Sequence, residues 1–82
     1  MKITKDELVS IITNALDPDD VITLDTTMDD IPEWDSLGHL SILTSLDEAT
    51  DGKASSLSEL GDSYSVNEII SILKKENLID ES

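Results

Sequence analysis

The chain has no cysteine, no arginine and no phenylalanine, and its 82 residues include only three glycines, two prolines, one tryptophan and one tyrosine. Without cysteine there is no disulfide, no thiolate metal site and no cysteine nucleophile. Without arginine, and with five lysines against 19 acidic residues, the formal charge is -14. That balance excludes ordinary binding to nucleic acid phosphates, which needs clustered lysine and arginine, and it disfavours anionic membrane surfaces. No run approaches the about 18 apolar residues of a spanning helix, and the opening segment Met1 to Glu7 lacks the apolar stretch of a signal peptide. The expectation is a soluble, cytoplasmic, monomeric chain with no nucleic acid or membrane partner. Its partners should carry basic patches and be met by long-range charge steering.

What is present is helical periodicity across one small domain, residues 1–82, a length within the about 50 to 200 residues of a single core. Leu8, Ile11, Ile12, Ala15 and Leu16 recur at i, i+3, i+4, i+7 and i+8. Thr4 with Glu7 fits a capping box and Ile3 with Leu8 a hydrophobic staple. Asp17-Pro18 stops this helix, because proline pushes its predecessor out of helical geometry.

Residues 17 to 35 form a long acidic connection containing both prolines. Connections longer than about 12 to 15 residues are usually functional or pinned by their own side chains. Val21, Ile22, Leu24, Met28 and Ile31 are the expected pins.

A second helix is expected over Ser36 to Ala49 with Asp35 as N-cap and Gly52 at its exit. A short helical turn is expected around Ser56 to Leu60. A last helix starts at Ser65, where Ser65 and Glu68 suggest a second capping box. Val66, Ile69, Ile70 and Leu73 form its inner stripe, Lys74 and Lys75 suit its negative end, and Leu78 and Ile79 pack after it. No strand alternation is visible. The fold class is all-α: a small bundle of three main helices plus one short one.

At about 100° per residue, Leu40, Ile42, Leu43, Leu46 and Ala49 share one arc of the second helix. Ser41, Thr44, Ser45 and Glu48 share the other, with Asp47 and Asp51 toward its edge. Leu37 falls on the polar arc, directly after a serine at the helix start. A helix N-terminus presents free N–H groups and partial positive charge, so Ser36 is suited to a bound or attached phosphate. The bland alternative is that Asp35-Ser36 is only a capping pair.

The whole stretch Asp35-Ser36-Leu37-Gly38-His39-Leu40 resembles the phosphopantetheine attachment motif of acyl carrier proteins. These are acidic four-helix domains of this size, in which the motif opens the second helix after a long loop. The resemblance covers most of the chain. It implies that Ser36 bears a 4'-phosphopantetheine arm installed from coenzyme A by a separate phosphopantetheinyl transferase. The arm's thiol then carries acyl intermediates between the enzymes of a fatty-acid, polyketide or other specialised acyl pathway, and the chain itself catalyses nothing. It also implies that Asp35 caps the helix beside the arm. The outer face, Leu37, Ser41, Thr44, Asp47 and Glu48, would meet acyl-activating, acyl-transferring or condensing enzymes. Asp29, Asp30 and Glu33 are expected to be simply solvated carboxylates, the alternative being that they widen the acidic field without direct contact.

His39, one turn after Ser36, is expected on the arm's side and counted with Asp35 and Leu37 around the cofactor; the alternative is an edge histidine without a role. Trp34 is expected to pack on Ile31 or Leu60, the alternative being that it faces a partner, Tyr64 to pack at the core rim, and Gly38 either to admit a partner's backbone or merely to be tolerated. Ser41 and Thr44 depart from the acidic and apolar residues common in fatty-acid carriers. Thr50 and Ala54 replace bulkier anchors.

Three rivals carry less. A calcium loop from Asp17 needs glycine and glutamate at its sixth and twelfth positions, where Ile22 and Met28 stand. A triad of Ser36, His39 and Asp35 crowds a helix start with poor geometry. An unmodified acidic interaction domain of carrier fold is the third. Within the carrier class the alternative is a peptidyl or aminoacyl carrier.

Overall fold

A computed structural model describes residues 2–80. Three α-helices dominate: α1 (Lys5–Leu16), α2 (Ser36–Ala49) and α3 (Val66–Lys75). The capping box of α1 is formed in full: the Glu7 N–H donates to Thr4 Oγ1 at 3.0 Å and the Thr4 N–H to Glu7 Oε1 at 3.1 Å. Ile3 and Leu8, the staple pair, are both buried in the core. Asp17 closes the helix in the left-handed region at φ 46°, its N–H donating to the Thr13 carbonyl. At α3, Ser65 Oγ accepts from the Glu68 N–H at 3.1 Å. The reciprocal half of the expected box is replaced by a contact between the two side chains, Ser65 Oγ to Glu68 Oε1 at 3.4 Å.

The all-α expectation needs correction. Ile3–Thr4 (β1) and Ile79–Asp80 (β2) form a two-stranded parallel pair, with Ile3 opposite Ile79 and Thr4 opposite Asp80. Two-residue strands are too short to show a period of two, and both apolar partners already read as helix-flanking core. The short helical turn expected near Ser56 to Leu60 is a pair of 3-10 turns, Ala54–Ser56 and Ser58–Asp62. Among the described residues the fold is thus mostly helical, with three α-helices and a small two-stranded sheet.

The core gathers Leu8, Ile12 and Leu16 of α1, Ile42 and Leu46 of α2, and Val66, Ile69 and Leu73 of α3, with Ile3, Leu78 and Ile79 from the ends. Each such side chain contributes about 1.5–3 kcal/mol on burial. Residues 17–35 are pinned by Ile22 and Ile31, with Met28 packed at the core's edge. Val21, 83% exposed, and Leu24 are not pins. Backbone bonds do much of the holding instead: Met28 N–H to the Tyr64 carbonyl at 2.8 Å and Val66 N–H to the Thr26 carbonyl at 3.0 Å, around the Thr27–Ser65 bridge.

Candidate functional site at the start of the second helix

Asp35 is extended and caps α2, its Oδ1 accepting the Gly38 N–H at 2.8 Å while its carbonyl accepts the His39 N–H at 2.8 Å. Ser36 is the first helical residue and is exposed. Its hydroxyl has no hydrogen-bond partner among the described residues. The N–H groups of Ser36 and Leu37 precede the first helical carbonyls they could reach and stay available. No acidic side chain lies within the first turn, so the positive end of the helix is offset only by the cap.

Behind this turn the chain is rigidly held. Trp34 is buried, and its Nε1–H donates to His39 Nδ1 at 3.0 Å. Indole nitrogen only donates, so Nδ1 is the acceptor and His39 Nε2 carries the hydrogen. That nitrogen lies 2.8 Å from the Leu60 carbonyl. The Ser63 hydroxyl donates to the same carbonyl at 2.6 Å. His39 is therefore not an edge residue: it is 6% exposed and both ring nitrogens are bonded inside the fold. The imidazole thus lies in the interior, whereas Ser36 is exposed, contrary to the expectation that both face the same side. Trp34 and His39 flank the cap at the N' and N4 positions, the same staple spacing as Ile3 and Leu8. That spacing was the signal in the sequence for their pairing.

Gly38 has an internal reason. A Cβ there would collide with the Glu33 carbonyl oxygen and lie 2.8 Å from Leu16 Cδ2. The close approach is to the chain's own backbone.

The outer face of α2 is rotated from expectation. His39, Ile42, Leu46 and Thr50 point inward, and Leu40, about 100° round from His39, is 59% exposed. The polar residues can face in because they are satisfied: Thr50 Oγ1 donates to the Leu46 carbonyl and accepts the Ala54 N–H. Thr50 and Ala54 are thus both buried and bonded to each other. Leu37, 75% exposed, Leu40, Ser41, Thr44 and Glu48 lie on the surface. Thr44 Oγ1 donates back to the Leu40 carbonyl. Asp47 is half-buried, with Oδ1 accepting the Ser55 N–H at 3.0 Å, so one of its oxygens serves the fold. Asp29 and Asp30 are exposed, Glu33 half so. Tyr64 is half-exposed, its ring 6.4 Å from that of His39.

Ser36, His39 and Asp35 do not form a proton relay, since the imidazole and the Asp35 Oδ1 are both engaged elsewhere. Among the described residues no three acidic or histidine side chains gather to hold a metal, and no helix is long and apolar enough to cross a membrane. Two grooves are lined by residues other than Ser36, one by Glu59, Asn67 and Ser71, another between α1 and α2 by Ile11 and Ala49. No protein-family model, curated protein or solved structure matches the chain.

Proposed function

We propose that the chain is a carrier protein of the acyl carrier type, a four-helix carrier domain in which residues 54–62 stand for the short helix, modified on Ser36. The observation that carries the reading is an exposed, unbonded serine hydroxyl opening a 14-residue helix after Asp35, with exposed Leu37 beside it. The resemblance of Asp35-Ser36-Leu37 to the attachment motif gives that hydroxyl its chemistry.

The residues fit a phosphodiester. Ser36 Oγ forms the new bond to the phosphorus of coenzyme A nearer the pantetheine, and the bond from that phosphorus to the bridging oxygen breaks. The electron pair leaves with adenosine 3',5'-bisphosphate, and the serine proton passes to a base on the transferase. The helix end, with the Ser36 and Leu37 N–H groups, favours the resulting negative charge. Asp35 caps the first turn by accepting the Gly38 N–H. When bound, the arm supplies the thiol that the cysteine-free chain lacks, and acyl groups ride on it as thioesters. Leu37, Leu40, Ser41, Thr44 and Glu48 form the face presented to transferase and acyl-handling enzymes, with Asp47 at its edge. Tethering raises the effective concentration of the carried group at each docked enzyme. In this role the chain has no catalytic residue of its own.

Incubation with coenzyme A, magnesium and a broad-specificity phosphopantetheinyl transferase should add one phosphopantetheine to the chain and none to Ser36→Ala. Equal masses for the two would remove the proposal.

A further inference from the structure

We infer that Trp34 and His39 are positioning residues for the Ser36 hydroxyl, a role that rests on the carrier reading and adds to it. The two side chains bracket Ser36 in sequence, and their bond closes the chain segment that contains it. Trp34 Nε1–H bonds His39 Nδ1 at 3.0 Å, and within that segment the Asp35 carbonyl accepts the His39 N–H and the Asp35 carboxylate the Gly38 N–H. The indole and imidazole planes lie 17° apart with centroids 6.1 Å apart. The imidazole is itself fixed from the far side by the Leu60 carbonyl, 21 residues away.

The consequence is directional. Ser36 has no side-chain bond of its own, so the placement of its backbone, from which the hydroxyl projects, is set by the residues on either side. Trp34 fixes the backbone entering the helix and His39 the first turn leaving it. The Glu33 carbonyl against Gly38 removes the remaining freedom of the turn. A hydroxyl that must meet a phosphorus atom in another protein's site gains from such fixing, because misplacement by about 1 Å can cost about a hundredfold in rate. Neither ring lies on the surface that Leu37 and Leu40 offer, so the pair acts on alignment and not on docking.

The test uses the whole chain with coenzyme A, magnesium and a broad-specificity transferase. Trp34→Phe keeps a ring and loses the donor; His39→Leu loses both bonds; His39→Gln can restore one. Thr50→Val, which removes buried hydrogen bonds to Leu46 and Ala54 at the other end of α2, serves as a control for loss of buried bonds away from Ser36. The expected result is a fall of about tenfold in kcat for Trp34→Phe and His39→Leu at little-changed KM, partial recovery in His39→Gln, and unchanged kcat in Thr50→Val. In parallel, the Trp34 indole N–H should be protected from hydrogen exchange in the wild type and not in His39→Leu, a readout independent of modification. If the folded Trp34 and His39 variants are modified with wild-type kcat, or if only KM changes, the positioning role is refuted while the carrier reading stands. An unmodified wild-type chain overturns both.

Discussion

Replacing Gly38 by alanine is a severe test of the packing beneath Ser36, because helix propensity and the structure give opposite signs. Alanine inside a helix is favoured over glycine by up to about 1 kcal/mol. In this fold the added methyl meets the Glu33 carbonyl oxygen and approaches Leu16 Cδ2 to 2.8 Å. The leucine tip can move, but the carbonyl belongs to backbone that also carries Trp34 into the core. Overpacking costs about 1–3 kcal/mol, and a clash against backbone rather than a side-chain tip puts this site in the upper part of that range, about 2–3 kcal/mol, so the net effect of Gly38→Ala should be a loss of about 1–2 kcal/mol once the propensity gain of about 1 kcal/mol is subtracted. For a domain of this size that corresponds to a fall in melting temperature of roughly 4–16 °C. Urea titration followed by far-UV circular dichroism should show a lower midpoint with the same slope. Gly61→Ala, where a Cβ meets nothing within 4 Å, should be neutral within about 0.5 kcal/mol. A Gly38→Ala chain as stable as wild type would show that Glu33 does not press on the turn.

The rotation of α2 predicts that Leu40→Ser changes stability by no more than about 0.5 kcal/mol, whereas Ile42→Ala costs about 2–5 kcal/mol; similar losses for both in urea would contradict it. If the acidic outer face steers encounter, transferase kcat/KM should fall steeply from low salt to about 0.15 M ionic strength, where the screening length is about 8 Å. A flat profile would remove the steering role of Glu48 and its neighbours.

The bounds of α1 and α2 are legible from sequence because each has local punctuation: Thr4 with Glu7, Asp35 before the apolar stripe, Pro18 after Asp17. The facing of α2 is not legible from hydrophobicity. His39 and Thr50 count as polar yet occupy the inward stripe, and only the bonds they make to Trp34, Leu60, Leu46 and Ala54 reveal that burial costs them little. Leu40 is displaced to the surface for that reason. Residues 54–62 lie at the limit of helix formation, with Gly61 and serines among few apolar anchors, so sequence places a turn there without its type. The β1–β2 pair depends on contact between the chain's two ends, which no local pattern encodes. At the candidate site, the serine and its cap are visible as residues in order, while the Trp34–His39 bond emerges only when the staple spacing is read for polar partners as well as apolar ones.

The central claim is that Ser36 is the anchor of a swinging thiol. Its most direct measurement is the intact and peptide-level mass of the chain purified from the cells that make it. The account predicts one phosphopantetheine, free or acylated, on the peptide containing Ser36. A chain that is wholly unmodified, or modified at another residue, would contradict it.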